Sequence, residues 1–298
     1  MTVALVGATA SCKSDLAMAA ARAVAGSEII AVDAMQVYRG MDIGTAKPTP
    51  ADRAAVAHHG LDLVDPSAEF TVAEFQAVAV ASMDDVTARG GKPLLVAGTG
   101  LYYAAVVDRL TLPGAWPDIR AQLEADHDLP AMVARLADLD PVAASRMEPT
   151  NRRRVVRALE VCLGSGRPFS SFGPGLEAYP PNDVVQIGLR WSREALAERI
   201  GTRVHRMMEA GFLAEVERLV AAGPLSRTAG QALGYRELID HLEGRCSRGE
   251  AIDSIITRTR QFATRQVRWF RRDPRLRWID IETDPLEAMP AVVEALSS

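Results

Sequence analysis

Residues 7–14, Gly-Ala-Thr-Ala-Ser-Cys-Lys-Ser, have the residue types and nearly the spacing of a phosphate-binding loop. A P-loop follows the pattern G-x-x-x-x-G-K-[ST], and here only the second glycine is replaced, by Cys12. Backbone amides and the start of the next helix would surround the phosphate, Lys13 would add a positive charge, and the Ser14 hydroxyl would contact magnesium. We therefore expect a phosphate cradle, with a plain strand-to-helix turn as the alternative.

Two further polar residues follow short apolar runs that predict strands. Asp33 comes directly after residues 28–32, and Thr99 stands between two glycines after residues 93–97. Ligands bind beyond the carboxyl ends of the strands in an open parallel sheet, so both side chains are expected beside the P-loop. The Asp33 carboxylate could bind magnesium or act as a general base, or it could simply cap a turn.

The order of apolar runs and helical patterns predicts an α/β fold. The strand candidates are Val3–Val6, Glu28–Val32, Pro93–Ala97, Val184–Leu189 and the strand-like residues 276–281. Helical patterns at Lys13–Ala25 and Val72–Arg89 are followed by glycines. Because strands alternate with helices, the expected fold is a P-loop NTPase-like parallel sheet core with helices on both faces.

A helical insertion domain is predicted inside this core. A boundary is expected at Pro113–Pro117, and the pattern after it is helical until a loop rich in glycine, proline and serine at residues 164–183. We therefore assign residues 1–113 and 183–298 to the α/β core with a helical C-terminal part, and residues 114–182 to the insertion.

The composition limits the possible classes of protein. The chain has 298 residues, of which 48% are apolar and 24% charged, and its net charge is −4. This charge argues against a protein that coats nucleic acid over its whole surface, although it allows a local basic face. Three widely separated cysteines match no metal spacing and suggest a reducing cytoplasm. With no signal-peptide pattern and no apolar run near the roughly 20 residues that span a bilayer, we expect a cytoplasmic protein without a membrane partner.

Arginines are concentrated in two parts of the sequence. Residues 245–277 contain ten arginines and only three acidic residues, and a second cluster lies at residues 152–157. Arginine is preferred where planar, bidentate contacts to phosphate are made. The clusters therefore favour a surface that binds a polyanion, with a solvated helix face as the alternative.

The adjacent histidines His58 and His59 do not predict a metal site. No cysteine, histidine or acidic partner lies at a ligand spacing from them, so a structural role is expected. Two classes of enzyme remain at this point. One is a small-molecule kinase on a P-loop fold, and the other holds a diphosphate in the loop and acts on nucleic acid. The basic clusters favour the second class.

Several longer stretches together resemble one family, the bacterial tRNA dimethylallyltransferases, also called tRNA isopentenyltransferases. They run in the family's order across nearly the whole chain, and although each is weak alone, the set is specific. The stretches are GATASCKS at 7–14, DAMQVYRGMDIGTAKP at 33–48, HHGLDLVDP at 58–66, PLLVAGTGLYY at 93–103, RRVVRALEV at 153–161, QALGYRE at 231–237 and TRQFATRQVRWFRRD at 259–273.

The resemblance implies transfer of a dimethylallyl group from dimethylallyl diphosphate to the exocyclic amine of adenosine 37, next to the tRNA anticodon. Asp33 matches the family's general base, and Thr99 matches a residue that contacts the donor's diphosphate. Lys13 and Mg²⁺ near Ser14 would stabilise the departing diphosphate. The enzyme is expected to be a monomer. A P-loop nucleotide or nucleoside kinase is the alternative function, and a non-catalytic tRNA-binding protein is a third.

The same resemblance implies two sets of binding residues. The diphosphate would be bound by Gly7, Ala8, Thr9, Ala10, Ser11, Cys12, Lys13 and Ser14. The tRNA would be bound by Asp33, Ala34, Met35, Gln36, Thr99, Arg120, Arg153, Arg154, Val155, Val156, Arg157, Gln231, Ala232, Leu233, Gly234, Tyr235 and Arg236. The helical insertion would clasp the anticodon stem-loop, and the target adenine would be flipped out of its stack into a channel.

Four positions depart from the family's usual residues. Ala8 replaces a proline, Cys12 a glycine, Ala34 a serine and Thr264 a lysine. If residue 12 must adopt a positive φ, the strain is roughly 1–2 kcal/mol, and Cys12→Gly is then expected to bind the donor more tightly. A thiol beside a lysine at a helix N-terminus is also expected to have a lowered pKa and to be alkylated readily, unless it is buried and inert.

Overall fold

A computed structural model describes residues 1–173 and 175–298 of the chain. Its strands are β1 Thr2–Gly7, β2 Ser27–Val32, β3 His58–His59, β4 Lys92–Ala97, β5 Val184–Trp191 and β6 Arg277–Ile281. They form one parallel sheet in the order β3-β2-β4-β1-β5-β6. In the register of the central strand β1, Val3 lies opposite Leu94 of β4 and Val185 of β5. The carboxyl ends of the strands therefore meet at one edge of the sheet.

Fourteen α-helices lie in the described parts of the chain. They are α1 Lys13–Ala23, α2 Pro50–Ala55, α3 Val72–Ala88, α4 Gly100–Val107, α5 Pro117–Ala125, α6 Leu129–Leu139, α7 Pro141–Arg146, α8 Arg152–Ser165, α9 Arg193–Glu209, α10 Phe212–Ala222, α11 Arg227–Gly230, α12 Tyr235–Leu242, α13 Arg248–Phe270 and α14 Met289–Ser297. Two short 3₁₀ helices span Phe169–Phe172 and Pro285–Ala288. Capping boxes at Thr71 and Ser247 bind the first amides of α3 and α13, which explains where these helices begin.

Side chains that alternate along the strands build a separate apolar core on each face of the sheet. Ala4 and Val6 of β1 pack in the cluster that contains residues of α3, α4, α9, α10, α12 and α13. Val3 and Leu5 point the other way, into a cluster with α1 and α14. Both clusters follow from the period-2 geometry of a strand, since successive side chains point to opposite faces. The predicted parallel sheet with helices on both faces is confirmed.

The contacts within the chain divide it into two compact units. Residues 1–108 and 181–298 form the unit that contains the sheet, and residues 109–180 form a second unit. The second unit contains α5 to α8 and the first 3₁₀ helix. Its own core includes Leu123, Leu136 and Val156, each at most 5% exposed. Helix α8 supplies most of this core, because its apolar residues recur at helical spacing.

The sequence predicted the main strands but not the ends of every element. Helix α1 ends at Ala23 rather than at residue 25, and β5 continues to Trp191 beyond the predicted Leu189. The two-residue strand β3 was not predicted, since a run of this length has no recognisable period. Within residues 1–173 and 175–298, no helix is both long and apolar enough to cross a bilayer.

Candidate active site

The P-loop connects β1 to α1 through a strained backbone. Ala10 and Cys12 both have left-handed backbone, with φ of 63° and 59°. This conformation costs an L-residue roughly 1–2 kcal/mol, so the loop needs support from its surroundings. Turns that include left-handed residues point successive amides into anion-binding concavities. Gly7 is required for close packing, because a Cβ there would lie 2.7 Å from the Ser11 hydroxyl oxygen.

Gln266 of α13 supports the loop from one side. The Thr9 amide donates to Gln266 Oε1 at 2.8 Å, and Gln266 Nε2 donates to the Gly98 carbonyl at 2.7 Å. The Gln266 side chain is buried and ties the P-loop to the segment that follows β4. This contact places the P-loop and Thr99 at the same edge of the sheet.

Arg199 of α9 supports the loop from the other side. Its Nε donates to the Ala10 carbonyl at 3.0 Å, and Nη2 contacts Cys12 Sγ. The guanidinium lies 4.2 Å from the centre of the Trp191 ring, whose Nε1 donates to the Ser11 carbonyl at 3.2 Å. The Ala10 and Ser11 carbonyls of the loop are therefore bound from outside. Because the Thr9 and Ser11 amides already donate to Gln266 and to the Ala8 carbonyl, an anion would be bound by the other amides of the loop. Arg199 and Trp191 were not predicted from the sequence, since neither belongs to a P-loop pattern.

Two cations lie beside the loop, and only one was predicted. Burial and the charge of Arg203 lower the pKa of Lys13 to about 8, while Asp33 opposes this shift. Burial also lowers the pKa of Arg203 on α9, against the charges of Asp33, Cys12 and Asp15. The two cations thus share a desolvated site, and the Asp33 carboxylate acts on both of them. Arg203 lies one helical turn after Arg199, and this i, i+4 spacing was the available clue in the sequence.

Asp33 both caps a turn and presents a free carboxylate oxygen. Its Oδ1 accepts the amides of Met35 at 2.7 Å and Gln36 at 3.3 Å. No donor in the described parts of the chain binds Oδ2, which is therefore available to a substrate. Thr99 precedes α4 without capping it through its side chain, so its hydroxyl is also available. The roles assigned to both residues stay predictions.

The prediction of an acidic Cys12 thiol is wrong. Burial raises the pKa of Cys12, and the neighbouring Asp15 carboxylate raises it further, although Arg199 partly opposes them. The sequence showed the lysine and the helix start but not the desolvation of the thiol. The neutral thiol is a weak nucleophile, so rapid alkylation is no longer expected.

The left-handed backbone at Cys12 gives a prediction for Cys12→Gly. Glycine removes the strain but adds freedom to the unfolded chain, so we expect the free energy of unfolding to rise by about 1 kcal/mol. Because the strained backbone is present before the donor binds, its relief stabilises the free and the bound protein alike, and the donor Kd is now expected to change little rather than to tighten. Denaturant titration and calorimetric donor binding measure these two effects.

Ala10→Gly is the matched control for this variant, because residue 10 has the same backbone conformation but carries no thiol for Arg199 to contact. Strain relief should stabilise both variants. If only Cys12→Gly is stabilised, the effect comes from loss of the thiol. If both variants are less stable than the wild type, the strain argument is wrong.

The segment predicted to bind tRNA at residues 231–236 is only partly accessible. Tyr235 and Ala232 are 0% and 4% exposed, whereas Gln231 and Arg236 are exposed to solvent. Gly234 is buried with a φ of 89°, and a Cβ there would lie 2.6 Å from the ring of Phe212. Direct RNA contacts from this segment would therefore come from its two exposed polar residues. Leu233 is half-buried between them.

The predicted tRNA contacts of the second unit also differ in exposure. Arg153 and Arg154 are exposed and have no acidic partner among the described residues. Val155 and Val156 are 1% and 2% exposed and belong to the core of the unit. They would support the helix rather than contact RNA.

Two other arginines of this unit are bound to carboxylates. Arg157 pairs with Glu160 at 2.9 Å and donates to the Pro113 carbonyl at 2.9 Å. Arg120 lies 3.0 Å from Glu124 and 3.6 Å from Glu160. Because Glu160 is 1% exposed, these arginines compensate a buried charge in addition to any contact with RNA.

This difference predicts distinct effects of arginine replacements. Replacing both Arg153 and Arg154 by alanine should weaken tRNA binding and reduce the salt slope of log Kd by about two, one for each lost phosphate contact. Arg157→Ala should chiefly lower the melting temperature, since it leaves Glu160 less compensated. Salt titrations of tRNA binding measure the slope, and thermal melts measure the stability. An unchanged slope in the double variant would show that Arg153 and Arg154 face solvent and do not contact RNA.

The histidine pair has structural partners. His59 Nε2 lies 2.7 Å from a Glu28 carboxylate oxygen, and His58 Nδ1 lies 2.8 Å from the Val56 carbonyl. No group of three or more histidine, cysteine or acidic side chains that could hold a metal occurs among residues 1–173 and 175–298. Any Mg²⁺ would therefore depend on other oxygen atoms, such as the Ser14 hydroxyl and phosphate oxygens.

Comparison with known proteins identifies relatives along nearly the whole chain. A family model described as IPP transferase matches residues 36–273. The chain is 48% identical to a tRNA dimethylallyltransferase of Kineococcus radiotolerans, over 99% of this chain and 96% of that protein. It is 47% identical to a tRNA dimethylallyltransferase of Streptomyces coelicolor, over 93% of this chain and 89% of that protein.

Solved structures give the same result. A tRNA isopentenylpyrophosphate transferase of Bacillus halodurans has a TM-score of 0.72 and 38% identity, covering 99% of this chain and 96% of its own. A eukaryotic dimethylallyltransferase described as acting on tRNA has a TM-score of 0.78 and 26% identity, covering 94% of this chain and 73% of its own. The predicted resemblance is confirmed, and the chain belongs to the IPP transferase family.

Proposed function

We propose that this protein transfers a dimethylallyl group from dimethylallyl diphosphate to the N6 amine of adenosine 37 beside the tRNA anticodon. The observation that carries the proposal is a left-handed P-loop backbone with two cations, Lys13 and Arg203, beside the Asp33 carboxylate. The loop and cations suit a diphosphate leaving group, and the carboxylate suits a proton that leaves an amine. Relatives named tRNA dimethylallyltransferase support this choice of donor and acceptor.

The residues supply what this reaction needs. The adenine nitrogen attacks the first carbon of the dimethylallyl group, and the bond from that carbon to the diphosphate oxygen breaks. The diphosphate leaves with the electron pair, where Lys13, Arg203 and the loop amides stabilise its growing charge. The proton released from the amine goes to Asp33 Oδ2. Thr99 is available to hydrogen-bond the diphosphate from the end of β4.

Magnesium fits this oxygen-rich edge. The Ser14 hydroxyl is exposed in the first turn of α1, and the Asp33 carboxylate lies at the same edge. Mg²⁺ prefers oxygen ligands and is usually bound by one or two protein groups together with phosphate oxygens. We therefore propose that Ser14 and the donor's diphosphate would bind Mg²⁺. The ion would neutralise part of the charge on the leaving group.

The acceptor is proposed to bind through exposed arginines. Arg265 and Arg268 on α13, and Arg271 directly after it, are exposed and form no ion pair within the parts of the chain that the structure describes. With Arg153 and Arg154 they would contact RNA phosphates, which fix the position of the RNA without reading its sequence. The P-loop and Asp33 lie in one unit of one chain, which supports a monomeric enzyme, and we propose that it works in the cytoplasm.

The direct test is incubation with unmodified tRNA, Mg²⁺ and dimethylallyl diphosphate, followed by mass analysis of the nucleosides. We expect one adenosine per acceptor tRNA to gain a dimethylallyl group. A tRNA with guanosine at position 37 is the matched control and should stay unmodified. Parallel reactions with ATP and nucleosides test the kinase alternative. Phosphoryl transfer without prenylation would overturn the proposal.

A further inference from the structure

Glu215 of α10 is a buried carboxylate that the reaction above does not use. It is 1% exposed, and none of the lysines and arginines in the described residues forms an ion pair with it. Its Oε2 accepts the amides of Asp42 at 3.0 Å and Ile43 at 2.7 Å. Its Oε1 accepts the Gly44 amide at 3.2 Å and the Tyr235 hydroxyl at 2.6 Å. Four donors thus compensate one buried negative charge.

The loop that Glu215 binds packs directly on two aromatic rings. Phe212 and Tyr235 contact each other edge to face, with ring centres 5.0 Å apart. A Cβ on Gly44 would overlap both rings, so only glycine allows the loop to approach this closely. Burial and the charge of Glu215 raise the pKa of the Tyr235 hydroxyl, which therefore remains a hydrogen-bond donor.

The same loop continues to the residues beside the proposed base. Gln36 Nε2 donates to the Thr45 carbonyl at 3.0 Å, and the Thr45 hydroxyl donates to the Met41 carbonyl at 2.6 Å. The Gln36 amide donates to Asp33 Oδ1. A continuous set of contacts therefore connects the loop that Glu215 holds with the turn that orients Asp33.

We propose that Glu215 is a positioning residue for the acceptor side of the site. This inference rests on the proposed function. By fixing the amides of residues 42–44, its carboxylate sets the position of Gln36 and of the Asp33 turn against the incoming adenine. The P-loop is held by Gln266 and Arg199 instead. Loss of Glu215 should therefore impair use of the acceptor while it leaves donor binding intact.

Glu215→Gln tests the proposal with little change in volume. The side-chain nitrogen of glutamine cannot accept hydrogen bonds, so the two donors that now bind one carboxylate oxygen would lose their acceptor and the loop should loosen. We expect kcat/KM for tRNA to fall about 10- to 100-fold, since a displacement near 1 Å can cost on the order of 100-fold. The calorimetric Kd for dimethylallyl diphosphate should change less than about twofold. Tyr235→Phe, which removes one of the four donors, should have a smaller effect.

Two measurements separate positioning from general destabilisation. Val292→Ala, in the core on the α14 side of the sheet, is the control for lost stability. Hydrogen exchange should show faster exchange at residues 42–44 in Glu215→Gln but not in Val292→Ala. This readout needs no activity, so it remains informative if the wild-type protein fails to prenylate tRNA. Unchanged exchange at residues 42–44, or equal losses of donor and acceptor use, would overturn the inference.

Discussion

Asp33→Asn is expected to reduce the rate of prenyl transfer on the order of 100-fold or more, which is the usual cost of removing a general base. Asparagine keeps the oxygen that accepts the Met35 and Gln36 amides, so the turn after β2 should persist. The base is lost because the other carboxylate oxygen becomes an amide nitrogen, which cannot take a proton from the adenine amine. Single-turnover kinetics with saturating donor and tRNA measure this step directly.

Binding measurements show whether the loss in Asp33→Asn is chemical. tRNA affinity should be unchanged, and donor affinity should stay equal or increase, because a negative charge near Lys13 and Arg203 is removed. Asp33→Ala serves as a comparison, since it removes both the base and the turn cap and should also lower stability. A wild-type rate in Asp33→Asn would reject the general-base assignment and leave Asp33 with its capping role alone.

The sequence predicted the sheet edge well because local patterns determine it. The apolar runs that became β1, β2 and β4 are buried between two layers of helices, and each is followed by a chemically distinctive segment. The rule that ligands bind at the carboxyl ends of parallel strands then brings Lys13, Asp33 and Thr99 to one edge without knowledge of tertiary contacts.

Contacts from distant parts of the chain could not be predicted in the same way. Arg199 and Trp191 reach the P-loop across more than 170 residues of sequence, and Gln266 across more than 250. The local spacing of apolar and polar residues does not predict such long-range contacts. The predicted direction of the Cys12 pKa was wrong for the same reason, because burial depends on what covers the thiol rather than on its neighbours in sequence. Arg203 was likewise recognised as a site residue only from the structure, in which its charge acts on Lys13.

Lys13 should make donor binding depend on pH in a specific direction. Burial and the charge of Arg203 lower its pKa to about 8, so in the free protein Lys13 is charged below this pH and neutral above it. A bound diphosphate favours the charged form and raises the pKa in the complex, so binding above about pH 8 must take up a proton. The Kd for dimethylallyl diphosphate should therefore be lowest below about pH 8. It should rise up to about tenfold per pH unit above that value.

Replacements of Lys13 separate this charge from its protonation. Lys13→Met should lose 10²–10³-fold in transfer rate, about the loss seen when one stabilising donor is removed from a transition state. Its donor affinity should be weak at every pH. Lys13→Arg keeps a charge that does not titrate in this range, so its affinity, although weakened by the different geometry, should be flat between about pH 7 and pH 9.5. Calorimetric titrations of the three proteins across that range provide the comparison. A flat profile for the wild type, or the same slope in Lys13→Arg, would show that another group controls donor binding, because only a lysine that loses its proton near pH 8 produces a slope that arginine abolishes.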